Sequence, residues 1–223
     1  MNVSVVVFPG TNCEFDAKYA FEKLNATVSM IWHKEKSLPK DIDLLILPGG
    51  FSYGDYLRSG AIAKFSSVMD AVVKFAKNGG RILGICNGFQ ILLELSLLQG
   101  AMRKNENVHF ISDFHHLKVI NKNNKFLSKL NEGDILNIPI AHAEGNYYVS
   151  QEELKSLYDN EQVLLKYCDA FGAESNPNGS IDSIAGICNK EKNIFGLMPH
   201  PERAMESILG SDDGVKMIEG FMK

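Results

Sequence analysis

Short apolar runs alternate with amphipathic segments along the first half of the chain, and this alternation limits the fold more than any other sequence feature. Several of the runs stop at Pro-Gly or at paired glycines, as buried strands do. They predict strands at Val3–Phe8, Ala26–Trp32, Asp43–Leu47 and Arg81–Ile85. Apolar side chains recur at helical spacing over residues 17–24, 62–76 and 89–98, which predicts helices there. Strands that alternate with helices form a mostly parallel sheet with helices on both faces, so we predict an α/β fold.

The second half predicts a more antiparallel addition to this sheet. Strands are predicted at residues 114–120, 135–140, 163–168, 181–188 and 194–197, and helices at 152–158 and 215–222. Asn178 followed by Gly179 is typical of a hairpin turn between two of these strands. The sequence contains no repeat, low-complexity tract or linker, so we expect residues 1–223 to form a single domain.

Composition excludes several classes of function. With 23 Lys and Arg against 27 Asp and Glu, the net charge is −4, which disfavours a nucleic-acid binder because phosphate neutralisation needs a basic face. No apolar run approaches the ~18 residues that span a bilayer. The chain runs from Met1 directly into an apolar strand, and its four cysteines form no Cys-x-x-Cys pair. We therefore expect no signal peptide, free thiols, no metal site and a cytoplasmic location.

The most informative stretch is Gly84-Ile-Cys86-Asn-Gly88, which lies between a predicted strand and a predicted helix. It is the thiol counterpart of the nucleophile elbow, in which glycines keep side chains out of a sharp strand-to-helix turn. The positive end of the helix dipole favours a thiolate at Cys86, and the backbone N–H of Asn87 is placed to bind an oxyanion. A buried structural thiol is the alternative, and it is our interpretation of Cys13, Cys168 and Cys188, which lack this context.

A thiol nucleophile needs a base, and the base needs a group that orients it. Met198-Pro-His200-Pro-Glu202 follows the last predicted strand, and its prolines favour an extended backbone that points His200 and Glu202 to one side. An exposed loop histidine beside a surface glutamate is the alternative interpretation of this segment. No other histidine in the sequence has a comparable partner pattern.

The loop after the third predicted strand begins Pro48-Gly-Gly50-Phe51. Its two glycines permit unusual dihedral angles, so the loop can direct backbone N–H groups at an oxyanion. Binding of phosphate is the alternative, but the sequence carries neither a G-x-G-x-x-G motif nor a P-loop lysine.

Together these segments resemble the class I, triad-type glutamine amidotransferases. Gly84-Ile-Cys-Asn-Gly-Phe-Gln90 is similar to the family's nucleophile motif, His200-Pro-Glu202 to its His-x-Glu pair, and Pro48-Gly-Gly50 to its oxyanion loop. Within the family the resemblance is greatest to the glutaminase subunits that serve a synthetase of purine biosynthesis, and it runs from end to end. It also rests on residues 48–55, 100–105, 176–180, 184–188 and 196–203.

The resemblance implies a flavodoxin-like amidotransferase fold and a role for each site residue. Cys86 would attack glutamine and form a γ-glutamyl thioester, while His200, oriented by Glu202, would transfer protons. The oxyanion hole and substrate contacts would come from four further residues: Gly50, Phe51, Asn87 and Gln90. The segment 141–145 has Ala143 where the family usually has glycine, which leaves the roles of His142 and Glu144 open between a partner interface and an ammonia path.

The resemblance also implies partners. Ammonia would pass to a large synthetase subunit, which uses ATP and Mg²⁺ to convert formylglycinamide ribonucleotide to its amidine, and a small third subunit would complete the complex. No cofactor is implied for this chain itself. Three alternatives stay open: a sister amidotransferase of another pathway, a free-standing cysteine hydrolase of γ-glutamyl compounds, and an inactive interaction subunit. The segment 48–55 disfavours the first, and the intact Cys86, His200 and Glu202 disfavour the last.

Overall fold

A computed structural model describes residues 1–58 and 60–222 of the chain. Within those ranges, nine strands form one sheet in the order β2-β1-β3-β4-β11-β10-β9-β6-β7, and two short strands, β5 and β8, form a second. The strands are β1 Asn2–Val7, β2 Thr27–Trp32, β3 Leu44–Leu47, β4 Ile82–Ile85, β5 Ala101–Arg103, β6 Ile111–Val119, β7 Ile135–His142, β8 Asn146–Tyr148, β9 Val163–Cys168, β10 Ile184–Cys188 and β11 Ile194–Leu197.

The large sheet changes direction at β11. Pairing from β2 through β1, β3 and β4 to β11 is parallel. Pairing from β11 through β10, β9 and β6 to β7 is antiparallel. The α/β class and the more antiparallel second half are thus confirmed. We refer to the two parts as the parallel half and the antiparallel half.

Five α-helices accompany the sheet in the described part of the chain. They are α1 Glu14–Lys23, α2 Met69–Lys77, α3 Asn87–Glu94, α4 Gln151–Asp159 and α5 Gly214–Phe221. The four side chains of β3 are fully buried, which explains why the strand is a continuous apolar run rather than an alternating one. Helix α3 packs on β3, β4 and β11, so the central strands carry the helix that follows Cys86.

One predicted helix is shorter than its apolar pattern. A helix was expected over residues 62–76, but α2 begins at Met69, and a 3₁₀ turn occupies Ala63–Phe65. The hydroxyl of Tyr53 hydrogen-bonds to Oγ of Ser66 at 2.8 Å, and Ser66 has an extended backbone. These tertiary contacts interrupt the helix, and Phe65 is left exposed.

The hairpin predicted at Asn178 and Gly179 is also wrong in form. Strands β9 and β10 do pair antiparallel, but the whole segment 169–183 connects them. Asn178 is buried, and its side chain donates to the carbonyl of Gly145 at 2.8 Å, so this residue serves a long-range contact rather than a two-residue turn. Strands β5 and β8 escaped prediction because each has only three residues.

All four cysteines are buried free thiols, as expected. Over residues 1–58 and 60–222, we find no helix with both the length and the apolar character to cross a membrane.

Candidate active site

Cys86 occupies a strained turn between β4 and α3. Its dihedral angles are φ 51° and ψ −106°, a combination that non-glycine residues rarely adopt. Its backbone N–H donates to the carbonyl of Leu197 in β11 at 2.8 Å, which fixes the turn to the next parallel strand. A Cβ on Gly88 would overlap the carbonyl of Leu47 in β3, so the glycine predicted for this bend is required by close backbone approach.

His200 and Glu202 form a buried hydrogen-bonded pair. Nδ1 of His200 donates to Oε1 of Glu202 at 2.6 Å, and both residues are almost fully buried. His200 follows β11, and its backbone N–H donates to the carbonyl of Pro139 in β7 at 2.8 Å. The predicted extended backbone is wrong, because Pro201–Arg203 forms a 3₁₀ turn that begins with proline. Although the backbone is not extended, this turn still brings the side chains of His200 and Glu202 together.

The imidazole of His200 also lies beside the thiol of Cys86. A Cβ on Gly49 would come within 2.7 Å of Cε1 of His200 and 2.9 Å of Cβ of Cys86, so both side chains border this glycine. Burial by itself lowers the pKa of His200, but the carboxylate of Glu202 and the nearby Cys86 together raise that pKa well above its ordinary value. Nε2 of His200 is buried without a hydrogen-bond partner among the described residues, so no other hydrogen bond occupies this nitrogen and it can exchange a proton with a group in the cavity.

The loop after β3 is folded tightly against the loop after β1. The backbone N–H of Asn12 donates to the carbonyl of Gly50 at 3.0 Å, and Oγ1 of Thr11 donates to the carbonyl of Gly49 at 2.5 Å. Gly50 has a φ of 91°, and a Cβ there would collide with the side chain of Asn12. Phe51 follows with a φ of 60°. The predicted oxyanion loop therefore has the unusual backbone that its glycines permit.

These residues surround a cavity of about 240 Å³. Six of the seven predicted site residues line this cavity. The seventh, Glu202, lies behind His200 and hydrogen-bonds to it. The lining residues are Asn12, Cys13, Gly50, Phe51, Asp55, Cys86, Asn87, Gln90, Phe110, Ser112, Ala141, His142, Ala143, Glu144, His200 and Arg203.

The side chains of Asn87 and Gln90 join the turn at Cys86 to its surroundings. Nδ2 of Asn87 donates to Oε1 of Gln90 and to Oδ1 of Asp55, both at 2.8 Å. Oδ1 of Asn87 accepts from the backbone N–H of Ser52 at 3.3 Å. Nε2 of Gln90 donates to the carbonyl of Glu144 at 2.7 Å. The two amides thus link α3 both to the loop after β3 and to residues 141–145.

Cys13 is a site residue that sequence reasoning missed. It was interpreted as a structural thiol, yet it lines the cavity beside His200. Burial raises the pKa of its thiol, which donates to Oδ1 of Asn12 at 3.3 Å, so it remains a protonated neighbour. Its position just after β1, at the carboxyl end of a parallel strand, is the signal that could have found it.

Cys13, His200 and Glu202 present ligand atoms within 4.8 Å of one another, a spacing that also suits a metal ion. However, Nδ1 of His200 and Oε1 of Glu202 are already joined by their short hydrogen bond. The arrangement therefore matches a histidine base that is oriented by a carboxylate more closely than a set of metal ligands.

His142 also lines the cavity. Its ring is buried, and burial together with the charge of His200 lowers the pKa of His142 to about 4, so the ring is neutral at pH 7. Ala143 does not adopt a positive φ, which explains why this chain tolerates alanine at that position.

Comparison with known proteins agrees with the geometry. Residues 1–213 match the family model of the CobB/CobQ-like glutamine amidotransferase domain. Two similar relatives are named phosphoribosylformylglycinamidine synthase subunit PurQ. That of Sulfurimonas denitrificans is 66% identical over 100% of both chains, and that of Wolinella succinogenes is 58% identical over 99% of both.

A solved structure is similar over nearly the whole fold. A chain in the structure of PurLQS from Thermotoga maritima superposes with a TM-score of 0.89 at 40% identity, covering 99% of this chain and 97% of that one.

Proposed function

The chain belongs to the CobB/CobQ-like glutamine amidotransferase family, and we propose that it is the glutaminase subunit of a phosphoribosylformylglycinamidine synthase. The observation that carries the proposal is the meeting of three groups at the cavity. Cys86 lies on a strained turn, the hydrogen-bonded pair of His200 and Glu202 lies beside it, and Gly49, which has no side chain, leaves room for the thiol and the imidazole to lie close together. A nucleophile, a base and an orienting carboxylate are what amide hydrolysis through a covalent intermediate requires.

In the proposed reaction, Sγ of Cys86 attacks the side-chain amide carbon of L-glutamine, and Nε2 of His200 takes the thiol proton. The oxyanion that forms is held by backbone N–H groups of Gly50 or Phe51 and of Asn87. His200 then gives its proton to the departing nitrogen, and ammonia leaves a γ-glutamyl thioester. Water attacks the thioester with His200 as base, which releases glutamate and restores the thiol. Glu202 keeps the imidazole oriented and stabilises its charged form.

We also propose that the ammonia is consumed by partner subunits. The relatives are named as subunits of a synthase, and the similar solved structure is that of PurLQS. A large synthetase subunit would use ATP and Mg²⁺ to convert formylglycinamide ribonucleotide to formylglycinamidine ribonucleotide in purine biosynthesis, with a small third subunit in the complex. The cofactors would belong to the partner, and the complex would work in the cytoplasm.

The test compares two nitrogen sources in the assembled complex. Cys86→Ser removes the reactive thiol, so synthesis with glutamine should be lost while synthesis with added ammonia is retained. Cys188→Ser is the matched control, since Cys188 is also buried but does not line the cavity, and both activities should survive. Loss of both activities in Cys86→Ser would contradict the proposed role. Glutamine hydrolysis that is unchanged by the partner subunits would indicate a free-standing hydrolase.

A further inference from the structure

Asn105 is a buried residue that the proposed reaction does not use, although it is the last residue of the segment 100–105, on which the family resemblance partly rests. Its side-chain Nδ2 donates to the carbonyls of His109 and His142, both at 2.8 Å. Its Oδ1 accepts from Nδ1 of His142 and from the backbone N–H of Gly145, both at 3.0 Å. Every hydrogen-bonding position of this amide is therefore filled.

A second buried amide holds the same segment from the other side. Nδ2 of Asn178 donates to the carbonyl of Gly145 at 2.8 Å and also lies 3.5 Å from Nε2 of His142. Oδ1 of Asn178 accepts from the backbone N–H of Ser180 at 3.0 Å. Gly145 is thus held at both its N–H and its carbonyl by side chains from distant parts of the chain.

The segment that these two amides hold forms one side of the cavity, and we call residues 141–145 the wall segment. The carbonyl of Glu144 accepts from Nε2 of Gln90 at 2.7 Å. The carbonyl of Ala141 faces the thiol of Cys86, with Sγ 3.7 Å from the oxygen. The position of the wall segment therefore fixes both the Gln90 side chain and the space in front of the nucleophile.

His142 is not suited to be a second base in this arrangement. Nδ1 of its ring donates to Asn105, and Nε2 faces the Nδ2 donor of Asn178, so a neutral ring satisfies both neighbours. A Cβ on Gly145 would overlap the same ring, which shows how closely the loop packs on it. The ring acts as a neutral spacer between the two amides.

We propose that Asn105 and Asn178 are positioning residues for the substrate: through His142 and Gly145 they hold the wall segment where Gln90 and the cavity match glutamine. This inference rests on the proposed glutaminase function. It assigns a task to the segments 100–105 and 176–180, which lie outside the catalytic triad. Neither asparagine lines the cavity, so both act through the wall segment.

The test uses Asn105→Ala and Asn178→Ala in the assembled complex, with Asn193→Ala as the matched control. Asn193 is equally buried, and its amide donates to the carbonyls of Ala76 and Gly80, away from the cavity. Steady-state kinetics give KM and kcat for glutamine. Labelling of Cys86 is followed by peptide mass spectrometry with two reagents, a diazo-ketone analogue of glutamine and iodoacetamide.

We expect the two site variants to raise KM for glutamine about tenfold or more and to slow labelling by the glutamine analogue to a similar extent. Labelling of Cys86 by iodoacetamide, which does not need the glutamine pocket, should change less than about twofold. Asn193→Ala should leave both labelling rates and KM unchanged. If the site variants slow both reagents equally, or change KM no more than Asn193→Ala does, the positioning role is wrong.

Two further outcomes remain distinguishable. If Asn105→Ala does not fold, Asn105→Asp keeps the acceptor oxygen for His142 and Gly145 while it loses both donated hydrogen bonds, and the same rise in KM is expected. If the unmodified complex releases no glutamate from glutamine, the proposed function itself is wrong. If the unmodified complex is active and the variants behave as the control does, only the positioning role is overturned.

Discussion

The two halves of the sheet build the same cavity in different ways. In the parallel half, β1, β3, β4 and β11 each lead directly into a segment that contributes to the site. The carboxyl ends of parallel strands meet at one edge of the sheet. The direction of the strands alone therefore places the short motifs that follow them at this edge. In the antiparallel half, the wall segment comprises the last two residues of β7 and the three that follow, and its position depends on two buried amides far away in sequence. Local motifs therefore reveal the chemistry, whereas long-range hydrogen bonds shape the pocket.

The largest effect is expected where the parallel half orients its base. Glu202→Gln keeps the shape of the side chain but removes the negative charge that stabilises a protonated His200. Turnover of glutamine in the complex should fall by about 10⁴-fold, by analogy with loss of the orienting carboxylate in other triads. Single-turnover formation of the thioester gives the measurement, and circular dichroism checks that the fold is intact. Normal turnover would remove Glu202 from the triad.

A smaller but still large effect is expected from the backbone of the Cys86 turn. Gly88→Ala places a methyl group against the carbonyl of Leu47, so α3 must move or strain must remain. Denaturant unfolding should show that the free energy of unfolding falls by about 3 kcal/mol. Gly133→Ala is the control for a glycine substitution without close approach, because its added Cβ would meet no atom within 4 Å and its cost comes from the positive φ of 87° alone. The free energy of unfolding of this control variant should fall by only about 1–2 kcal/mol. Equal losses would mean that close approach is unimportant.

The antiparallel half should respond to pH through His142. The pKa of this ring is about 4 in the folded chain against an ordinary value of 6.5, so the unfolded chain binds the proton first. Stability should therefore fall as the pH drops from about 6.5 to 4, by about 2 kcal/mol at pH 5. Denaturant unfolding from pH 7.5 to 4.5 tests this, with His142→Asn as the comparison. A variant with the same pH dependence as the natural chain would show that another group is responsible.

The smallest effect concerns a contact that bridges the halves. Phe51, from the loop after β3, stacks on Phe110, which precedes β6, with ring centroids 5.8 Å apart. Both rings are only half-buried, so Phe110→Ala should cost about 1 kcal/mol in unfolding free energy. A rise in KM for glutamine of less than about tenfold should accompany it. Tyr148→Ala, at a similarly exposed aromatic outside the cavity, should leave KM unchanged.

This difference between the halves also explains what the sequence could predict. The glycines around Cys86 and the pair of His200 and Glu202 are local signals, and the structure brings Cys86 and His200 to one cavity with Glu202 behind His200. Asn105 and Asn178 look like ordinary turn residues, because nothing local shows that their amides meet at Gly145. The turn predicted at Asn178 was wrong in form for the same reason: a buried long-range hydrogen bond determines its conformation.

Cys13 shows a second limit of sequence reasoning. It lacks the glycine spacing of a nucleophile turn, so its place beside His200 depends on the pairing of β1 with β3. His200 therefore has two neighbouring thiols, and local geometry distinguishes them. Cys86 has the strained backbone of an elbow, whereas Cys13 is a protonated thiol that donates to Asn12.

The most direct test asks which of these two thiols carries the glutamyl group. The complex would be acid-quenched during turnover of radiolabelled glutamine, digested, and its labelled peptide identified. We predict label on the peptide that contains Cys86 and none on the peptide that contains Cys13. Label on Cys13, or no covalent label during active turnover, would contradict the account.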